Sequence, residues 1–202
     1  MLTFDRKKLL DGYTSRFGPL TNDLVEAFKF LFAKIESDPN FNDSDTDRRK
    51  LAYCLATFKW ETAHTMRPID ERGGDAYFNK RYGPVTRIGK MLGNTKAGDG
   101  ALYHGRGYVQ ITGRRNYAKA KTLTAVDLIN EPGRAKEPEI AYQIAMQGMK
   151  DGWFTGRKLA NYFAGDTADY FNARKIINGL DQADKIADIA RGYSEILREA
   201  KG

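Results

Sequence analysis

The stretch Leu51-Ala52-Tyr53-Cys54-Leu55-Ala56-Thr57-Phe58-Lys59-Trp60-Glu61-Thr62-Ala63-His64 decides how this chain is read. Leu51, Cys54, Leu55 and Phe58 recur at helical spacing and predict a helix from about Asp47 to Thr65 with one apolar face. Glu61 follows Phe58 by one helical turn, so its carboxyl is expected where that face meets open space. A partly dry setting suits a carboxyl that donates a proton. A surface glutamate on the edge of an amphipathic helix is the plain alternative.

A second carboxylate, Glu71, follows in Arg67-Pro68-Ile69-Asp70-Glu71-Arg72-Gly73-Gly74. Pro68 is expected to end the helix near Arg67, because the residue before a proline is pushed out of the helical region. Glu71 then lies on an irregular segment, free to face the same hollow as Glu61, with Asp70 a competitor for its role. Two carboxylates flanking a hollow, one dry and one solvated, are the working parts of a glycosidase. Their separation distinguishes inversion from retention, and sequence spacing does not supply it.

The third informative stretch is Tyr103-His104-Gly105-Arg106-Gly107-Tyr108-Val109-Gln110-Ile111-Thr112-Gly113-Arg114-Arg115-Asn116-Tyr117. Val109 and Ile111 alternate with Tyr108, Gln110 and Thr112, which predicts a short strand with a polar face of amide and hydroxyl groups. Gly105 and Gly107 allow unusual backbone angles or close approach of another group. A dinucleotide-binding fingerprint fails, because Gln110 stands at its third glycine and no helix-opening pattern is read after it.

The segments Trp60-Glu61-Thr62-Ala63, Tyr103-His104-Gly105-Arg106-Gly107, Gln110-Ile111-Thr112, Asn116-Tyr117 and Ile176-Ile177-Asn178-Gly179 resemble the signature segments of glycoside hydrolase family 19, the chitinase-like enzymes of the lysozyme superfamily. The chain is most similar to the bacteriophage endolysin branch of that family. The resemblance spans roughly residues 51–197 and implies a lysozyme-like α+β fold, mainly α, with a large helical lobe and a small antiparallel β lobe flanking a substrate cleft. It also implies Glu61 as general acid, Glu71 as general base and Thr112 in place of a serine that holds the attacking water. Gln110, Asn116 and Asn178 are implied contacts to substrate or that water, and Tyr103, His104 and Arg106 lie in the same motifs as candidate substrate contacts. The chain departs from the plant chitinase pattern in Trp60, where a histidine usually precedes the acid, and in lacking disulfide-forming cysteines.

At 202 residues the chain is expected to form one catalytic domain, with the small lobe at about residues 68–115 and no separate cell-wall-binding module. A single cysteine, Cys54, excludes an intrachain disulfide. The net charge of +7 calls for an acidic partner, and peptidoglycan with its stem carboxylates fits. Nucleic acid is not expected as a partner: the charges read as dispersed, and no helix-turn-helix or zinc pattern is present. No cofactor or metal is expected, because Glu61 and His64 alone do not make a metal-binding motif.

Residues 1–18 carry Asp5, Arg6, Lys7, Lys8, Asp11 and Arg16 and show no secretory pattern, and no membrane-spanning segment is read. The resemblance then implies a monomer made in the host cytoplasm that reaches the cell wall through a separate holin-type protein. Helices are predicted over residues 24–35, from Pro138 to about Met149, from about Thr167 to Ile177 and from about Gln182 to Glu199. Residues 73–100, rich in glycine, are expected to form a mobile cleft edge. The function implied is hydrolysis of β-1,4 bonds in peptidoglycan, with chitin as the alternative substrate and a non-catalytic basic binding module as the third reading.

Overall fold

The computed structural model describes residues 2–201. Its elements are α1 (Arg6–Phe17), α2 (Asn22–Ser37), α3 (Asp45–Glu61), β1 (Ile69–Asp70), α4 (Asp75–Tyr82), α5 (Arg87–Met91), α6 (Asp99–Leu102), β2 (Arg106–Gly107), α7 (Arg114–Thr124), α8 (Pro138–Asp151), β3 (Phe163–Ala164), β4 (Thr167–Ala168), α9 (Tyr170–Ala173) and α10 (Ala183–Glu199). Both sheets are two-stranded and antiparallel, β1 with β2 and β3 with β4. The mainly α class expected from the sequence is the one observed. No helix among the described residues is long and apolar enough to cross a membrane.

The chain forms two compact units, Met1–Met66 with Met149–Gly202, and Arg67–Gly148. In the first, α3 is buried nearly all round: residues 51–59 are all buried, whichever way they point. The single stripe read from Leu51, Cys54, Leu55 and Phe58 is therefore only part of its contact surface. The stripe of α10, Ile186, Ala190, Tyr193 and Leu197, packs against α3, and Phe28, Leu31, Phe32 and Ile35 of α2 join the same core. Thr21 caps α2 by accepting from the Leu24 amide, and Ser44 caps α3 by accepting from the Asp47 amide. Cys54 is a buried core residue whose thiol burial pushes up, away from the reactive thiolate.

Two readings in this unit need correction. The helix predicted from Thr167 to Ile177 is instead the β3–β4 hairpin, the short α9 and a 3-10 turn at Arg174–Ile176. Gly165, at φ 53°, and Asp166 form the two-residue hairpin turn, and the returning strand takes Thr167 and Ala168, the start of the expected helix. The catalytic-helix candidate also stops at Glu61 rather than near Thr65, for reasons that belong to the site.

The second unit is larger than the lobe expected at 68–115 and is mostly helical. It continues to Gly148 because Tyr117 and Ala120 of α7 and Ile140 and Ile144 of α8 close one hydrophobic cluster with Tyr103, Ile111, Leu128 and Ala135. The segment read as a mobile edge is pinned. The Asn94 side chain donates to the Tyr82 carbonyl at 2.7 Å and accepts from the Arg114 amide at 2.8 Å. Asp99 accepts from the Thr95 and Lys96 amides and takes a bidentate bond from Arg114 at 2.9 and 2.5 Å. Burial opposes the charge on Asp99, but Arg114 and the two amides outweigh it and hold the carboxyl down at about 2. α7 therefore opens at Arg114, where the sequence showed no helix-opening pattern.

Lys59, on α3, is only 6% exposed. Its ammonium donates to the Tyr13 hydroxyl at 2.6 Å and lies over the rings of Tyr13 and Phe17. Burial lowers its pKa from 10.5 to about 8. Between those values the unfolded chain holds the proton that the folded one has lost, so stability rises with pH through that window. Lys59→Met keeps the aliphatic stem and is expected to stabilise the fold at pH 7 by on the order of 1–3 kcal/mol. Thermal melts from pH 7 to 10 check this: the advantage should shrink above pH 8, and equal melting temperatures throughout would refute it.

Candidate active site

Glu61 is the last residue of α3, and the chain leaves the helix there abruptly. Ala63, His64 and Met66 take φ values of 50°, 67° and 55°, the left-handed region that side chains other than glycine rarely adopt. Thr62 makes this turn possible. Its buried hydroxyl donates to the Phe58 carbonyl at 2.7 Å and accepts from the Met66 amide at 3.0 Å. The side chain thus replaces helical bonds that the backbone gives up before Pro68 is reached.

A carboxylate in the last turn sits at the negative end of the helix dipole. Arg174 offsets this: its Nη1 donates to Glu61 Oε1 at 2.5 Å and its Nε to the Asp181 carbonyl at 3.1 Å. The guanidinium side chain is 4% exposed and the Glu61 side chain 16%. Glu61 is therefore bound to a buried cation, and the apolar-rim picture drawn from its sequence neighbours is incomplete. Asn178 is exposed, with its backbone amide on the Arg174 carbonyl at 3.1 Å and its Oδ1 accepting from the Gly179 amide at 2.8 Å.

Within the second unit, Glu71 follows β1 and is fixed from three sides. Its amide donates to the Gly105 carbonyl at 2.8 Å, and Gly105 returns its own amide to Oε2 at 3.1 Å. The Tyr82 hydroxyl donates to Oε1 at 2.8 Å. Burial, reinforced by the Glu71 carboxylate, pushes the Tyr82 phenol well up, so it remains a donor. Gln110 closes the group by donating to the carbonyls of Ile69 and Gly107, both at 3.2 Å.

Asp70 has other partners. Its oxygens meet Lys136, His104 Nε2 at 3.3 Å and Arg106 Nε at 3.1 Å. Burial works against its charge, but Lys136, His104 and Arg106 together hold its pKa down. Arg106, itself buried, also donates to the Leu102 carbonyl and the Tyr117 hydroxyl. His104 stacks on Phe78 with ring centres 4.4 Å apart, and its Nδ1 lies 2.6 Å from the Ala101 carbonyl. Tyr103 is a core residue with its hydroxyl on the Ile129 carbonyl. The polar groups of Tyr103, His104 and Arg106 are thus spent on partners inside the unit; Tyr103 and Arg106 are buried, whereas His104, Glu71, Gln110 and Thr112 are partly exposed.

The strand expected over Tyr108–Thr112 is a turn. Arg106 and Ile111 exchange backbone bonds at 3.2 and 2.9 Å, and the residues between them reverse the chain with Gly107 at φ 86° and Gln110 at φ 54°. Tyr108, Val109 and Ile111 are all buried, so the apparent alternation does not separate two faces. The polar residues still meet: the Thr112 hydroxyl donates to the Gln110 carbonyl at 2.8 Å, and Asn116 Nδ2 donates to the Thr112 carbonyl at 2.9 Å. Asn116 Oδ1 is buried with no partner among the described residues.

Two residues that position the carboxylates escaped the sequence reading. Arg174 stands just before Ile176-Ile177-Asn178-Gly179, and its nearness to that motif was the available signal. Tyr82 carried none. Among the described residues no group of three or more His, Cys, Asp or Glu could hold a metal ion.

No family model matches the chain, and a search of curated proteins finds no match. Solved structures do match. Chitinase C from Streptomyces griseus aligns with a TM-score of 0.63 at 16% identity, over 96% of this chain and 92% of that one. A point mutant of chitinase C gives 0.61 at 15% identity, over 98% and 94%. A bacterial family 19 chitinase, described as differing from plant enzymes, gives 0.63 at 17% identity, over 98% and 97%. The chain has the fold of the family 19 chitinases, as its motifs implied.

Gly105 offers a direct test of the Glu71 geometry. A Cβ there would lie 2.9 Å from Gln110 Oε1, 3.0 Å from Glu71 Oε2 and 3.2 Å from Glu71 Cβ. Gly105→Ala is expected to destabilise the protein by about 1–3 kcal/mol, as overpacking does. Gly133→Ala, where a Cβ meets nothing within 4 Å, should leave stability near wild type. Denaturant unfolding of both variants checks the contrast.

Proposed function

We propose that this protein is a glycoside hydrolase that cleaves the β-1,4 linkages of bacterial peptidoglycan, in the manner of a bacteriophage endolysin. The observation that carries the reading is the pair of anchored carboxylates, Glu61 on Arg174 and Glu71 on Tyr82 and Gly105, in a fold shared with family 19 chitinases. In this reading Glu61 protonates the glycosidic oxygen through Oε2, since Arg174 engages Oε1. Glu71 takes a proton from the attacking water, and bond cleavage proceeds with inversion when a water fits between acid and base. Thr112 helps to place water or sugar through its hydroxyl oxygen, and Asn116 holds the Thr112 carbonyl in position.

Asp70 is a weaker candidate for the base because Lys136, His104 and Arg106 already engage its oxygens. Chitin is the second reading, favoured by the similar structures, all of them chitinases. Synthesis in the host cytoplasm, passage through a holin-type pore and action as a monomer complete the proposal. Mass spectrometry of reduced products from peptidoglycan and from chitin oligomers distinguishes the substrates and identifies the sugar at the new reducing end.

Glu61→Gln keeps the shape of the side chain but has no acidic proton to give, so turnover of purified peptidoglycan should fall by about 10²–10⁴-fold in a folded variant. Glu71→Gln should cost more activity than Asp70→Asn. Steady-state kinetics on the three proteins check both statements, and the reverse ranking of the last two would move the base to Asp70.

A further inference from the structure

The positive charge is not dispersed as the sequence first suggested. Residues 67–148 hold fourteen lysines and arginines against eight aspartates and glutamates, a net +6 of the chain's +7. Between Asp75 and Asp99 there is no acidic residue at all, while Lys80, Arg81, Arg87, Lys90 and Lys96 fall in that span. Among the described residues, Arg87, Lys90 and Arg115 make no salt bridge, and all three are exposed. Elsewhere in the same unit, cations such as Lys121 and Arg134 pair with nearby acids.

The same surface exposes apolar side chains. Val85, just before the Thr86 cap of α5, is 83% exposed, and Ile88 and Met91 within α5 are 44% and 61% exposed, the three spaced at intervals of three residues. Arg87 and Lys90 repeat at the same interval one position earlier, so a basic stripe runs beside the apolar one. Arg115 reaches this place from α7 and donates to the Met91 carbonyl. The segment is held firmly: Thr86 caps α5 by accepting from the Gly89 amide at 2.8 Å, and a Cβ at Gly89 would lie only 1.9 Å from the Gly83 carbonyl oxygen. Burial of Val85, Ile88 and Met91 inside the unit is thus not what this segment is built for.

We propose that this surface docks the protein on an anionic lipid bilayer, with Arg87, Lys90 and Arg115 on the headgroup phosphates and Val85, Ile88 and Met91 entering the interface. Charge complementarity selects an anionic partner, and the protruding apolar stripe selects a lipid surface over a hydrophilic polyanion. A nucleic acid or an acidic polymer would use the cations but gain nothing from Val85 or Met91. The docking is independent of the proposed hydrolysis and concentrates the protein at membranes by a surface other than the candidate active site.

Co-sedimentation of the full chain with vesicles of phosphatidylglycerol and phosphatidylcholine, against pure phosphatidylcholine, tests it. Binding is expected to the anionic vesicles only. The double variant Arg87→Glu with Lys90→Glu should weaken partitioning by at least about tenfold. Val85→Ser with Met91→Ser, which leaves every charge in place, should weaken it by a similar factor. Circular dichroism and glycan hydrolysis of the variants should match wild type, since none of these residues touches Glu61, Glu71 or their anchors. No binding to anionic vesicles overturns the proposal. So does binding unaffected by the serine pair and matched by a DNA duplex, which would mark a polyanion site instead.

Discussion

Burial of α3 all round from Leu51 to Lys59 is the constraint from which the first unit follows. A helix with one apolar face needs one neighbour, but Leu51 to Lys59 need neighbours all round. α10 is the main cover of α3, and Phe28 of α2 joins the same core through Tyr13, whose ring also meets Tyr193 of α10. Polar groups drawn into this interior have to be satisfied. The Tyr53 hydroxyl therefore donates to the Ala173 carbonyl at 2.8 Å, and Arg48 donates to the carbonyls of Leu197 and Thr3. The same demand reaches the helix end, where Thr62 and Arg174 take over from backbone bonds and solvent.

The two candidate carboxylates are held by opposite means. Glu61 is fixed by a buried cation whose sequence separation is 113 residues. Glu71 is fixed by neutral donors, a phenol and a backbone amide, and by a glycine that lets its side chain approach the chain closely. Rigid donors of this kind suit a group that must keep one orientation while its surroundings exchange.

How much of this was legible in the sequence depended on whether burial was periodic. α2, α8 and α10 carry stripes on one side and were found close to their true limits. α4, α5 and α6 have little buried apolar stripe to mark them as packed helices: their segment is ordered by Asn94, Asp99 and close glycine contacts, which leave no periodic trace. At Tyr108 to Thr112 the alternation was real in sequence, but Gln110 at positive φ turns the chain before a strand can form. Glu61, Glu71 and Thr112 were visible through motifs, whereas Tyr82 and Arg174 depend on tertiary contacts.

The first unit is built from two stretches of chain with the second unit between them. During synthesis, α1 to α3 leave the ribosome early, but their main cover, α10, and the Arg174 that anchors Glu61 are translated only after the whole inserted unit. The nascent α3 thus waits with its apolar surface unshielded, which makes it a natural client for chaperones. Glu61 therefore stays without its anchoring cation until Arg174, 113 residues further along the chain, has been made.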